Sequence, residues 1–187
     1  MDRRSIRTEQ LIKDTFINLL MTKKLKDITV TELTSIANLD RRTFYLHYKD
    51  IIDLNDRIIS EFTDNFKARI NNDESVRLLN DNPLSFISII LDYLFENKNL
   101  CIANLSTNYN SKITNQLLHT VHEKGVDIIH KRFPNCTDLQ MELFYSFCVY
   151  GSFGIIINWI ETGLEVSQQT IILEIEHIVK ATSAYLE

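Results

Sequence analysis

Breakers are scarce in this chain of 187 residues, which has two prolines (Pro83 and Pro134) and four glycines. So few leave little room for tight turns and short strands, and they favour long helices. Cysteine is equally sparse. Cys101, Cys136 and Cys148 are an odd number, widely spaced and without C-x-x-C, which argues against a disulfide framework or a thiolate zinc site and suits reduced thiols in a cytosol. GxGxxG, GxxxxGK[ST], HExxH and GxSxG are all missing, and no histidine motif partners the cysteines. Nothing therefore supports an enzyme, a cofactor or a resident metal. The first ten residues, MDRRSIRTEQ, are too polar for a signal peptide, and a cytoplasmic location is expected.

What is present is apolar and unevenly charged. Hydrophobic residues make up 44% and charged residues 24%, the balance of a soluble globular protein. Residues 1–50 hold 10 Lys+Arg against 7 Asp+Glu, whereas 51–187 hold 10 against 18. A mildly basic head on an acidic body suggests that only the head meets a polyanion. Leu143 to Ile160 carries no charge over 18 residues, the lower edge of a membrane span. Ser146, Gly151, Ser152 and Asn158 interrupt it, and a helix buried on both sides is expected instead.

Periodicity predicts an all-α chain. Ile12, Phe16, Leu19 and Leu20 mark a first amphipathic helix over 6–21. Thr29 followed by Glu32 has capping-box spacing. Val30, Leu33 and Ile36 then form one apolar face, and Asn38, which tolerates the left-handed conformation, ends the second helix. Asp40 is a natural N-cap for a third helix. Two short helices separated by about three residues make the helix-turn-helix plan. A long helix over 50–70 joins this head, residues 1–50, to a helical body, residues 51–187. The polar stretch 71–82 reads as a loop or weak helix. Further helices follow Pro83, with a break at 106–111, another end at Phe133-Pro134, a cap at Thr137 for a helix to Gly163, and a cap at Ser167 for the last.

The third helix, within LDRRTFYLHYKD (39–50), has two chemically distinct sides. Phe44 and Tyr48 share an inward face with Leu39, while Arg42, Tyr45 and Leu46 point the opposite way, with Thr43 and His47 on a flank and Arg41 near the start. A solvated face rarely carries a Tyr and a Leu, but a face entering a major groove has uses for all of these. Arg pairs with guanine O6 and N7, Thr or Leu packs on a thymine methyl, and Tyr and His hold phosphates, with Lys49 at the rim.

Residues 29–54, TVTELTSIANLDRRTFYLHYKDIIDL, resemble the DNA-binding segment of the TetR/AcrR (tetracycline-repressor) family of regulators. The echoes are Thr29-Val30, Ile36-Ala37, Arg42-Thr43-Phe44-Tyr45 and His47-Tyr48. Three positions depart from that pattern: Asn38 and Arg42 stand where members carry Gly, and Ile51 where many carry Lys. The resemblance implies DNA contacts from Thr31, Arg41, Arg42, Thr43, Tyr45, His47 and Lys49 over a base of Phe44 and Tyr48, with Arg3, Arg4 and Arg7 as a candidate arm. Residues 144–163, FYSFCVYGSFGIIINWIETG, resemble the C-terminal domain of a Firmicute-type branch that includes a regulator of dihydroxyacetone kinase operons.

The resemblance also implies a homodimer on a pseudo-palindromic operator, most often a repressor, with the last two helices as dimer elements. Gly151, Ser152, Gly154, Ile175 and Ile178 are the candidate interface residues. A small apolar effector would lie among Phe62, Phe66, Phe86, Tyr93, Phe144 and Phe147, all of which also suit plain core. His119-x-x-His122 with Glu123, and Glu174-x-x-His177, read as helix-surface residues rather than metal ligands. The alternative expectation is a co-activator or adaptor that works mainly through a protein partner and binds DNA weakly or not at all.

Overall fold

The computed structural model describes residues 3–72, 84–105, 112–163 and 165–186. Most of the polar stretch 71–82 and the expected break at 106–111 lie outside the described residues, as do the side chains of Leu84, Phe86, Ile87 and Ile128. Most of the described residues are helical, and none of them forms a strand. In chain order the helices are α1 (Arg3–Leu20), α2 (Val30–Ile36), α3 (Arg41–His47), α4 (Ile51–Asn72), α5 (Leu84–Glu96), α6 (Lys98–Leu105), α7 (Lys112–Arg132), α8 (Asp138–Glu161) and α9 (Gln168–Ser183). Single 3-10 turns lie at Leu25–Asp27 and Ala184–Leu186.

The chain forms two compact units, Met1–Asp64 and Asn65–Glu187. Sequence reading divides the chain at residue 50; by compactness the division falls farther along, inside α4. The reason is that the first half of α4 is tied to the head. Lys13 on α1 bonds Glu61 on α4 and pairs with Glu9 at 3.2 Å. Burial pulls the Lys13 pKa down, but its bonds to Glu61 and Glu9 outweigh this and leave it raised. Arg57 of α4 lies over the Tyr48 ring at 5.4 Å.

In the first unit Ile12, Phe16, Leu33, Phe44 and Leu54 are fully or almost fully buried. Arg3, Arg4 and Arg7 belong to the first two turns of α1 rather than to an extended arm. Thr29 caps α2 by accepting the Glu32 N–H at 3.2 Å. Glu32 does not complete the capping box; its carboxylate bonds Lys23 in the preceding loop instead. Ile36 also departs from its expected inward face and is 60% exposed, at the last residue of a two-turn helix.

The second unit buries Ile70, Leu91, Ile113, Ile157 and Ile175. Phe66 packs on Tyr93 at 5.3 Å between centroids, and Arg69 pairs with Glu96 at 2.6 Å. Helix α9 packs on α5 and α8, and α7 packs on α8. Trp159 donates its indole N–H to the Val166 carbonyl at 2.8 Å and stacks on Phe95, fixing the α8–α9 turn. The Thr137 cap of α8 is a complete box with Gln140. At Gly125 the α7 backbone touches α8: a Cβ there would stand 2.6 Å from Cε2 of Tyr145.

Candidate nucleic-acid interface

The turn between α2 and α3 sets the site. Asn38 adopts φ 52°. The Leu39 N–H bonds the Thr34 carbonyl at 2.9 Å, and the Asn38 N–H bonds that of Ser35 at 3.3 Å. These are the two hydrogen bonds of a Schellman motif, which satisfies the last carbonyls of α2 and turns the chain sharply. Asp40 then starts α3 by accepting the Arg42 N–H at 2.6 Å.

Helix α3 is held from beneath. Phe44 is fully buried and Tyr48 nearly so, with ring centroids 5.7 Å apart. The Tyr48 hydroxyl donates to Glu9 of α1 at 3.4 Å. Burial first, and then the negative charge of Glu9, push the Tyr48 phenol pKa upward. At the far end Asp53 accepts the Lys49 N–H at 2.9 Å and Arg57 Nε at 3.1 Å. The Lys49 bond, ahead of Arg57, holds the Asp53 carboxyl below its usual range. Asp50 caps α4 through the Asp53 N–H at 2.8 Å. Both ends of α3 are therefore anchored to neighbouring helices.

The other side of α3 is open. Arg41, Arg42, Tyr45, Leu46 and Lys49 are exposed, and Thr43 and His47 are half-buried. Arg41 Nη1 donates to Thr31 Oγ1 at 3.4 Å, bringing the exposed start of α2 to the same rim. Tyr45 meets Phe44 edge to face at 5.5 Å, and His47 lies 6.2 Å from Tyr48. The two-turn α3, with Lys49 just past its end, thus presents two guanidiniums, a phenol, a hydroxyl, an imidazole and an ammonium around its uncovered sides. Such a set can hydrogen-bond phosphates and base edges together.

The remaining expected site residues lie in the second unit, apart from Phe62, which is buried in α4. Phe66 and Tyr93 pack on each other. Phe144 and Phe147 instead border an open groove of about 330 Å³ with Leu143, Thr182 and Tyr185. Neither Phe66 nor Tyr93 lines it. On α8, Gly151 is exposed, Ser152 and Gly154 are half-buried, and a Cβ at either glycine would meet nothing within 4 Å. Ile178 is exposed. Ile175 is a correction: it is fully buried inside its own chain and has no surface to offer a partner. The spacing that joins it to Ile178 holds, but the α9 stripe turns inward at Ile172 and Ile175.

Helix α8 is long and apolar enough to cross a membrane, yet Met141, Phe144, Tyr145, Phe153, Ile156, Ile157, Trp159 and Ile160 are buried inside the unit. His119 pairs with Glu123 at 3.6 Å, and His122 meets the Tyr145 ring edge-on at 4.7 Å. Among the described residues no group of three or more His, Cys, Asp or Glu is placed to hold a metal ion. Burial pushes the Cys101 thiol up to about 12 and the Cys148 thiol up to about 11, so both are poor nucleophiles near neutral pH. Leu46 lies between Arg42 and Thr43 in the helical projection, on the outward face where sequence reading places it, although it is not among the DNA contacts that the resemblance implies.

Residues 81–181, just over half of the chain, match the family TetR_C_8, described as a transcriptional regulator C-terminal region. Solved structures share the fold at low identity. A transcriptional regulator (TerR/AcrR family) from Aquifex aeolicus VF5 superposes with TM-score 0.69 at 17% identity, covering 93% of this chain and 98% of that one. A TetR-family regulator from Streptomyces coelicolor gives 0.66 at 14%, covering 100% and 83%. The dihydroxyacetone kinase operon activator DhaS gives 0.62 at 19%, covering 94% and 96%. No curated protein sequence matches the chain.

Proposed function

We propose, from the premise that this chain belongs to the TetR family of transcriptional regulators, that it binds double-stranded DNA directly as a homodimer. Its operator is pseudo-palindromic, because a two-fold dimer presents the same reading helix to two half-sites. The observation that carries this reading is the α3 surface, where Arg41, Arg42, Tyr45 and Lys49 stand open above the buried base of Phe44 and Tyr48. Arg42 pairs with a guanine edge. Thr43 packs on a base, and Tyr45, His47, Lys49, Thr31 and Arg41 hold phosphates on either side.

The partner copy docks on the outer side of α8 and α9. Leu139, Leu143, Phe147 and Tyr150 repeat along α8 and are each more than half exposed; Tyr185, also exposed, borders the same groove as Leu143 and Phe147. Gly154 lies on that stripe and Gly151 beside it, whereas Ser152 falls on the opposite side, with the buried Met141, Tyr145 and Trp159. A helix with apolar residues on both sides needs two partners, one of them its own unit.

Repression released by a small apolar effector completes the proposal. An effector that binds one conformation of the body better than another shifts the population toward it. Phe144 and Phe147, which border the apolar groove on the body, are the candidate aromatics for such a ligand, while Phe66 and Tyr93 pack on each other. The test is selection of bound fragments from the source genome by the full-length dimer, then a binding titration with wild type and Arg42→Ala. Failure to retain any duplex at low salt would overturn direct DNA recognition.

A further inference from the structure

Leu46 is the most exposed large hydrophobic residue among those described, at 78%. Its place is not incidental. At ~100° per residue it lies about 180° from the mean direction of Phe44 and Tyr48, with Arg42 about 40° to one side and Thr43 about 60° to the other. It is therefore the residue at the crest of α3, the point that reaches deepest into whatever the helix enters. A leucine crest is costly in water, and the groups beside it are cations rather than further core: Arg42 one turn back, Arg41 and Lys49 at the two ends. That charge complements a polyanion, so the occupant is duplex DNA and not an apolar helix.

We infer that Leu46 reads the C5-methyl group of thymine in the major groove. This rests on the DNA-binding reading above and adds a specificity to it. The thymine methyl is the one apolar group on a base edge in that groove, and cytosine and both purines lack it. Leucine has no hydrogen bond to offer, so the selection is by burial alone. Arg42 and Leu46 are four residues apart, a rise of ~6 Å along the helix, against about 3.4 Å per base step. The two side chains therefore reach base edges close together, within a few base pairs of each other in each half-site.

The test uses the full-length protein and a duplex recovered from genomic selection, with each thymine replaced in turn by deoxyuridine. That exchange deletes the methyl and leaves Watson–Crick pairing intact. Burying one methyl is worth roughly a fourfold change in affinity, so substituting the matched position in both half-sites weakens wild type by roughly fifteenfold. Leu46→Ala binds the parent duplex more weakly by a similar factor and no longer distinguishes uracil from thymine at that position. Its exposure makes the variant neutral to folding, which an unchanged thermal midpoint verifies. Equal wild-type affinity for every uracil duplex overturns the assignment and leaves DNA binding standing. Uracil sensitivity undiminished in Leu46→Ala also overturns it, because another residue then reads the methyl. Failure to bind any duplex at low salt overturns this inference and the reading beneath it together.

Discussion

Two exposed surfaces of this molecule show aromatics and leucines where a solvated helix would show charge, but their neighbours differ. On α3, Tyr45 and Leu46 stand among Arg41, Arg42 and Lys49. On α8, Leu143, Phe147 and Tyr150 lie in a run with no charge between Leu143 and Ile160. The first surface is small, cation-edged and braced by the Schellman turn at Asn38 and the Asp50–Asp53 cap. The second is a long apolar strip bordering an open groove. An apolar group ringed by cations suits an anion with apolar edges. An apolar group with no charge nearby suits another apolar surface, and a second copy of the same strip supplies one.

Substitutions on α8 sharpen the contrast most. Phe147→Glu places a charge in the middle of the strip, and as an interface anchor it should cost about 2 kcal/mol or more of association. Sedimentation should show monomer where wild type is dimeric, and operator affinity should fall with it. Gly154→Leu, which adds bulk where a built Cβ meets nothing within the chain, should act in the same direction without unfolding the protomer. An unchanged sedimentation profile for both would detach α8 from the interface.

Next in size is Arg42→Ala, which should lose ~1–3 kcal/mol of binding if its guanidinium pairs with a guanine edge. Dimerisation and thermal midpoint should be unaltered, because Arg42 is exposed and only its backbone N–H is used by the Asp40 cap. A variant that breaks the dimer and one that breaks base reading are thus separable by sedimentation alone.

Gly125→Ala tests a contact inside the second unit, between α7 and α8. The added methyl meets the ring of Tyr145, whose hydroxyl is itself buried and has no hydrogen-bond partner among the described residues. Overpacking of this type costs ~1–3 kcal/mol, read as a lower unfolding midpoint with the α3 surface unchanged.

The smallest expected effect is at Tyr48→Phe. It removes one hydrogen bond to Glu9, worth about 1 kcal/mol at most. The pH dependence is more telling. The folded Tyr48 pKa lies above the ordinary value near 10. The unfolded chain therefore loses its phenolic proton first, and stability present below pH ~10 declines as pH rises past it. Tyr48→Phe should flatten that alkaline decline; an identical decline in both proteins would detach Tyr48 from it.

The features legible in the sequence are those set by neighbouring residues. The Asn38 turn, the Asp40, Thr137 and Ser167 caps, and the inward pair Phe44 and Tyr48 each depend on groups within five positions of one another. What escaped reading depends on distant partners. Glu32 leaves its own helix terminus because a loop brings Lys23 within reach. Ile36 stays exposed although its spacing from Leu33 is right for burial, since α2 stops at that residue. Ile175 and Ile178 share a helical stripe, yet the packing of α9 buries one and leaves the other open. The close approach of Gly125 to Tyr145 joins two helices, and no periodicity encodes it.

The most direct measurement is the salt dependence of binding by the full-length protein to a duplex selected from the source genome, with Arg42→Ala alongside. Each phosphate that the protein neutralises releases condensed counterions, so log affinity falls linearly with log salt, by roughly 0.9 per phosphate neutralised. Wild type should show a slope of several units, and Arg42→Ala should bind less tightly at every salt concentration. A flat response, or equal binding by the two proteins, would contradict the assignment of the α3 surface to DNA.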